Sequence, residues 1–128
     1  MPFEENIQLT EDDIKRIKNI INNTKFDQFE IHGYYYRNKF TGVIGNTPRH
    51  DIAISELKKI YEKIDCIKRG FKRKGNTGYK YTLCYDESKN VYVKIIYLFD
   101  EKPMKIVNAM RIYRNLEKAI LKKYGLRI

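Results

Sequence analysis

Basic side chains are the main candidates for chemistry in this chain, and they concentrate between Ile67 and Lys80. That stretch reads IKRGFKRKGNTGYK and holds six basic residues and no acidic one. Lys and Arg hold anionic oxygens by charge and by hydrogen bonds, so this composition is typical of a surface for phosphate groups. Two residues further along the chain are expected to extend the same surface. The full candidate set is Lys68, Lys72, Arg73, Lys74, Lys80, Tyr92 and Lys94.

The net charge favours a polyanionic partner. The chain carries +10 overall, and residues 1–30 hold seven acidic against four basic residues, so residues 31–128 carry +13. A field of this sign attracts nucleic acid and raises encounter rates. A basic surface with no such partner is also compatible with this charge, and the 18 Lys against 8 Arg would fit it. An anionic protein partner is a further alternative.

A second set of residues could cleave RNA without a metal ion. His32 and His50 are the two histidines of the chain, with Arg37 and Arg49 close to them in sequence. Attack by a 2′-hydroxyl needs a base, an acid and a cation that stabilises the charged phosphorane. These four residues could fill those roles. The size of the chain and its mixture of helices and strands are comparable to those of small cytotoxic ribonucleases from bacterial toxins.

Metal and cofactor chemistry find no support in the sequence. Cys66 and Cys84 are far apart, with no CxxC pair and no neighbouring histidine, so zinc is not expected and both thiols fit a reducing cytosol. The acidic pairs lie at a helix start or in turns. No phosphate-binding loop or nucleophile motif is present. We therefore expect no metal ion and no cofactor.

Membrane insertion is not expected either. The longest apolar run, about Ile95 to Phe99, is far shorter than the roughly 20 residues that a membrane span needs. The first ten residues, MPFEENIQLT, lack the apolar segment of a signal peptide. A cytoplasmic location without a membrane partner is the expectation, and the oligomeric state is left open.

The first half of the chain predicts two helices and a hairpin. Thr10, followed by three acidic residues, is typical of a helix start. Residues 26–45 alternate in polarity around a polar turn, which predicts a β-hairpin. Thr47 or Asp51 is expected to cap the second helix, whose apolar residues begin at Ile54.

The second half predicts three strands and a long helix. The strands are expected at 66–73, 79–85 and 91–99, joined by short turns, and the helix at 103–124. With a length of 128 residues and 42% hydrophobic content, residues 1–128 fit one domain. The predicted fold is α+β, an antiparallel three-stranded meander packed on a long C-terminal helix, with an N-terminal helix, a hairpin and a second helix.

Side-chain alternation along these strands predicts two different sheet faces. The odd-numbered residues are mostly apolar and are expected to pack on the last helix. The even-numbered residues should form a basic face for a phosphate backbone, where Tyr92 could stack on a base. The turn at 75–78 would extend this face, and Arg111 and Arg114 could add phosphate contacts. The basic face would comprise Lys68, Gly70, Lys72, Lys80, Thr82, Cys84, Tyr92 and Lys94.

Three motifs in residues 75–125 resemble AP2-like DNA-binding domains and the related arm-type DNA-binding domains of integrases. They are GNTGYK at 75–80, YDESKNVYVK at 85–94 and EKAILKKYG at 117–125. The third strand has Tyr92 where that family has Trp, and the Gly-Phe signature before the helix is absent. The resemblance implies three strands packed on one helix, DNA recognition by the sheet, and an origin in a phage or mobile element. It also implies that Lys80, Tyr92 and Lys94 face the DNA.

These observations favour a non-catalytic nucleic-acid-binding protein, with DNA expected ahead of RNA. A metal-independent ribonuclease using His32, His50, Arg37 and Arg49 is one alternative. The other is a small inhibitor or adaptor of a nucleic-acid-dependent enzyme. Such a protein could present the tyrosines of residues 34–36 to a protein partner, because Tyr is enriched at interfaces. Within that cluster the middle tyrosine is expected to be buried.

Overall fold

The computed structural model of the protein describes residues 6–75 and 78–124. Within those ranges the chain forms helices, strands and three short 3₁₀ turns, at Phe26–Gln28, Gly33–Tyr36 and Ile64–Cys66. The helices are α1 (Glu11–Asn22), α2 (Ile54–Tyr61) and α3 (Leu116–Tyr124). The strands are β1 (Ile7–Gln8), β2 (Glu30–Ile31), β3 (Ile67–Lys74), β4 (Tyr79–Ser88), β5 (Val91–Leu98) and β6 (Lys105–Ile112).

All six strands belong to one mixed sheet with the order β1-β3-β4-β5-β6-β2. Strands β3 to β6 form an antiparallel meander of four strands, β1 pairs antiparallel with β3, and β2 pairs parallel with β6. The chain is α+β, but the predicted three-stranded meander on a long C-terminal helix is wrong. The resemblance implied a helix directly after three strands, whereas β6 lies between β5 and α3.

A bulge in β6 explains why this strand was predicted to be part of a helix. Ile96 pairs with Asn108 and Tyr97 pairs with Ile106, so Val107 is an extra residue. The bulge leaves Ile106 and the buried alanine at 109 on the same face, three residues apart. Three-residue spacing of apolar side chains is the pattern of a helix, so periodicity alone misidentified the strand.

The predicted hairpin at 26–45 is also wrong. The strand part of this segment is β2, which lies beside β6. Glu30 N donates to Met104 O, just before β6, at 2.9 Å, and His32 N, just after β2, donates to Ile106 O at 2.8 Å. The chain then turns into a 3₁₀ segment because the buried Tyr35 hydroxyl donates to the Ile52 carbonyl at 2.6 Å. A single bridge between residues 37 and 44 is what the structure retains of the expected pairing.

The first helix is confirmed and the second is only partly so. Thr10 caps α1 in a capping box, in which its hydroxyl accepts from the Asp13 amide at 3.1 Å. Helix α2 begins at Ile54 after Ala53, which makes no side-chain cap. Neither Thr47 nor Asp51 caps it, so that detail of the prediction is wrong.

Helices cover both faces of the sheet. Helices α1 and α2 pack on one face, called here the inner face, which carries the larger core. Helix α3 packs on the opposite face, called the α3 face, through a smaller apolar cluster. The inner-face residues of the central strands are Tyr81, Leu83, Tyr85, Val93, Ile95 and Tyr97. The α3-face cluster comprises Phe71, Cys84, Tyr92, Leu116 and Ile120.

Candidate nucleic-acid interface

A bulge in β3 changes which face its lysines occupy. Ile67 pairs with Tyr85 and Arg69 pairs with Cys84, so Lys68 is an extra residue between two consecutive pairs. Directly paired residues of antiparallel strands point to the same side. After the bulge, odd-numbered residues of β3 therefore share a face with even-numbered residues of β4. The prediction that the even-numbered residues of all three strands form one basic face is wrong.

The candidate lysines are accordingly divided between the two faces. Lys72 pairs with Tyr81 on the inner face, and its Nζ lies 5.0 Å from the centroid of the Tyr79 ring. Lys74 pairs with Tyr79 and points to the same side. Lys80 keeps the predicted side of Thr82 and Cys84, but that side is the α3 face and not the face opposite the last helix. The two sides meet at the end of the β3–β4 hairpin, so this end is basic on both faces.

We call Arg73, Lys74 and Lys80 the hairpin tip. Arg73 and Lys80 are direct cross-strand partners on the α3 face, and both are exposed. No ion pair involves these three residues within the described part of the chain. Like charges opposite each other repel, so this arrangement favours an external anion. Asp100 lies at this end, and its carboxylate accepts the Tyr79 amide at 3.0 Å. The predicted turn at 75–78 includes residues 76 and 77, which lie outside the described residues.

The face that was expected to be open is the one that α3 covers. Tyr92 is only 4% exposed, because it packs with Leu116 and Ile120 of the helix. The expectation that the last helix would cover the odd-numbered residues is therefore wrong. Arg69 fixes the helix to β3 through a bidentate ion pair with Glu117, at 3.1 and 2.8 Å. Little of the Tyr92 ring is available for stacking on a base from the sheet surface.

Beside α3 the sheet leaves a groove, which we call the basic groove. Four basic side chains line it, and none of its described wall residues carries a carboxylate. The cavity measures about 640 Å³. Its wall comprises Asn90, Tyr92, Lys94, Arg114, Asn115, Lys118, Ala119 and Lys122.

The local structure of α3 fixes two walls of this groove relative to each other. The Asn115 side chain accepts from the Lys118 amide at 3.0 Å and donates to the Lys89 carbonyl at 2.8 Å. This residue therefore caps the helix and holds it against the β4–β5 turn. Burial raises the pKa of Tyr92, and the nearby charge of Arg114 opposes that shift. The phenol therefore stays protonated and uncharged at neutral pH beneath the cations.

Two of the groove residues could have been recognised from their spacing in the sequence. Lys118 and Lys122 are four residues apart in α3, and such spacing places side chains along one side of a helix, whereas Arg114 precedes the helix. Arg114 was expected to contact phosphate and lines the groove. Arg111, its expected companion, instead bonds Glu87 and Glu56 at 2.8 Å each. These two carboxylates raise the pKa of Arg111 and occupy its guanidinium.

The histidine set lies around the loop from residue 32 to residue 50. The His32 Nδ1 accepts the Tyr34 amide at 3.1 Å, and His32 is exposed. Arg49 donates from Nη1 to the Arg37 carbonyl at 3.3 Å, and its guanidinium lies 4.8 Å from the Tyr34 ring centroid. The structure thus brings Arg37 and Arg49 together. A separate cavity of about 490 Å³ is lined in part by Arg49 but by neither histidine.

His50 is a titratable group of that loop whose pKa is shifted from its ordinary value. Burial lowers its pKa, and the positive charges of Lys39 and Arg49 lower it further. The imidazole is therefore neutral at physiological pH and lies near two cations. The Nε of Arg49 is buried without a hydrogen-bond partner among the described residues.

The tyrosine cluster at 34–36 is less exposed than a protein-contact patch would require. Tyr35 is 1% exposed, which confirms its predicted burial. Tyr34 and Tyr36 are half-buried. The large apolar side chains that protrude from this region are those of Phe40, Val43 and Ile44, which sequence reasoning had assigned to a hairpin strand.

Comparisons with protein-family models, with characterised proteins and with solved structures found no match for this chain. The resemblance to AP2-like domains therefore stays a prediction. None of the described helices is long and apolar enough to cross a membrane. No group of three or more His, Cys, Asp or Glu side chains within the described ranges is arranged to hold a metal ion.

Proposed function

We propose that this protein binds nucleic acid through its phosphate backbone, using the basic groove as the main contact. The observation that carries the proposal is the composition of the groove wall, with four cations and no carboxylate among its described residues. Phosphate contacts supply most sequence-independent affinity for DNA and RNA. Sequence resemblance favours DNA, and the test below separates the two.

Basic side chains that form no ion pair with a described residue distinguish the groove from an ordinary solvated surface. Arg69 and Arg111 are held by carboxylates, whereas Arg114, Lys118 and Lys122 form no ion pair with any described residue. Cations close together repel one another, and binding an anionic backbone relieves that repulsion. The hairpin tip supplies a second group of such cations on the same sheet, suited to a backbone that extends beyond the groove.

The test compares two double variants that change charge equally. Lys118→Glu/Lys122→Glu alters the groove, and Lys58→Glu/Lys59→Glu alters two exposed lysines of α2, on the inner-face side of the sheet. Fluorescence anisotropy would measure binding to labelled DNA and RNA of one sequence, each as single strand and duplex. We expect the groove variant to bind at least about tenfold more weakly than wild type, because two phosphate contacts become repulsive.

The α2 variant controls for the change in net charge. It should retain affinity within about threefold of wild type, because only the distant field has changed. Equal loss in both variants would reduce the proposal to a non-specific effect of net charge. Failure of the wild type to bind any of the four ligands would refute it.

A metal-independent ribonuclease is the second candidate, favoured by the surroundings of His50. A neutral imidazole can accept the proton of a 2′-hydroxyl, and the neighbouring charges of Lys39 and Arg49 would stabilise the phosphorane. With His50 as the base, the acid that protonates the leaving oxygen would be His32, the other histidine that the sequence suggested.

This second candidate has its own assay. Labelled RNA is incubated with the protein in excess chelator, beside DNA of the same sequence, which lacks the attacking hydroxyl. Cleavage of RNA alone that disappears in His50→Ala would support the activity. Intact RNA after incubation with wild type, or cleavage that survives His50→Ala, would exclude His50 as its base.

A further inference from the structure

The basic groove continues into a smaller apolar cavity, and the two share part of their walls. The second cavity measures about 190 Å³, and Tyr92, Lys94 and Ala119 line both. We call the second cavity the apolar floor, since Phe71, Ile96 and Met110 contribute most of its distinctive apolar wall. A ligand that fills both spaces must carry an anionic group next to a compact apolar ring.

From this juxtaposition we propose that the site binds single-stranded nucleic acid, with a phosphate in the basic groove and its unpaired base in the apolar floor. This inference rests on the proposed function and narrows its ligand. A nucleotide unit has the required chemistry, because the negative phosphate and the flat base lie one sugar apart. Bases of a duplex are stacked and paired, so a duplex base can enter the cavity only at the free-energy cost of unpairing and unstacking, which a single strand largely avoids.

The wall of the apolar floor suits a base better than an acyl chain. Phe71 and Tyr92 line the cavity with aromatic atoms, which bases of every type can contact, and each leaves only a small edge accessible, since the two residues are 5% and 4% exposed. Thr82 and Asn6 add polar atoms to the same wall, and a base edge needs such partners. A purely aliphatic ligand would leave those polar groups without hydrogen bonds.

Asn108 is a cross-strand neighbour of the apolar floor and does not itself line the cavity. It pairs with the floor residue Ile96 across β5 and β6, so the two side chains share the α3 face. Asn108 is 3% exposed, and its Oδ1 has no hydrogen-bond partner among the described residues. A polar side chain therefore lies next to the mostly apolar wall of the floor on the α3 face.

The experiment blocks the floor while leaving every cation in place. Ala119→Leu adds bulk at the boundary between the two cavities and keeps a strong helix former in α3. Ala53→Leu is the matched control, because Ala53 is exposed at the start of α2. Met110→Ala is a second floor variant, which removes contact area without adding bulk. Thermal unfolding of each variant verifies that it is folded.

Fluorescence anisotropy measures the affinity of each variant for a labelled oligothymidine and for a duplex of equal length. We expect wild type to bind the single strand at least about fivefold more tightly than the duplex. Ala119→Leu and Met110→Ala should both remove most of that preference. Met110 does not line the basic groove, so Met110→Ala should also leave duplex affinity unchanged, while Ala53→Leu behaves as wild type.

The contrary outcomes separate the two proposals. Equal or tighter binding of duplex by wild type, or an unchanged preference in both floor variants, overturns the single-strand inference. If the binding that remains is lost in Lys118→Glu/Lys122→Glu, the proposed function stands and the single-strand inference alone fails. Absence of binding to either ligand overturns both.

Discussion

Lys68 shows how one residue can decide the charge pattern of a sheet face. As the extra residue of the β3 bulge, it shifts every later side chain of that strand to the other face. Lys72 therefore lies on the inner face, apart from Lys80 and Lys94, with which it was predicted to share a face. A sequence carries no sign of such a bulge when the inserted residue is an ordinary lysine. The basic residue types were predictable, and their faces were not.

At the same scale, His50 should make stability depend on pH in a defined window. Its pKa is lowered in the folded protein, so the unfolded chain, whose histidine titrates near pH 6.5, binds the proton more readily. The contribution of His50 to stability is complete above that pH and is lost as the pH falls from there toward the folded pKa. Urea unfolding followed by circular dichroism at about pH 7.5 and 5.5 measures it.

The comparison variant for this prediction is His50→Gln. It cannot take up that proton, so it should lose less stability than wild type between the two pH values. His32→Gln controls for the removal of a histidine from an exposed position. An acid-induced loss in His50→Gln equal to or larger than that of wild type would contradict the environment described for His50.

At the scale of elements, local signals identified some structures and missed others. Thr10 and the acidic residues after it predicted α1 because a capping box is a property of adjacent residues. The strands corresponding to β3, β4 and β5 were predictable from short turns and alternation. The β6 strand was not, because its bulge and its buried position between two apolar layers remove the period of two.

The hairpin tip makes a prediction that belongs to the β3–β4 pair. Lys80→Glu places a carboxylate opposite Arg73 and replaces a repulsive cross-strand pair with an attractive one. We expect the free protein to become more stable by roughly 0.2 to 0.5 kcal/mol, since both side chains are exposed and screened. Urea unfolding measures that gain. Anisotropy should show weaker binding of nucleic acid by the same variant.

The matched control for this prediction is Lys89→Glu, in the exposed β4–β5 turn. It has the same charge change without a cationic cross-strand partner, so a gain equal to that of Lys80→Glu would point to net charge alone. Unchanged stability together with unchanged binding in Lys80→Glu would remove the hairpin tip from the proposed interface.

At the scale of the whole molecule, the charge asymmetry of the sequence anticipated the basic surfaces of the structure more reliably than the alternation along any single strand did. Residues 31–128 carry +13, and both the hairpin tip and the basic groove lie within them. The location of the groove depends on α3 folding back over the sheet. The last helix was expected on the opposite face, and long-range packing of this kind leaves no local mark in the sequence. The four-residue spacing of Lys118 and Lys122 within α3 is a local signal for one wall of the groove, but it does not say which sheet face the helix covers.

The most direct test of binding through the basic groove is the salt dependence of affinity. The logarithm of the association constant for single-stranded nucleic acid is plotted against the logarithm of the salt concentration for wild type and Lys118→Glu/Lys122→Glu. Each lost phosphate contact makes the slope shallower by about 0.7, so we predict a difference of about 1.4 between the two proteins. The α2 variant Lys58→Glu/Lys59→Glu should keep the slope of wild type. Identical slopes for wild type and the groove variant would contradict the assignment of phosphate contacts to this groove.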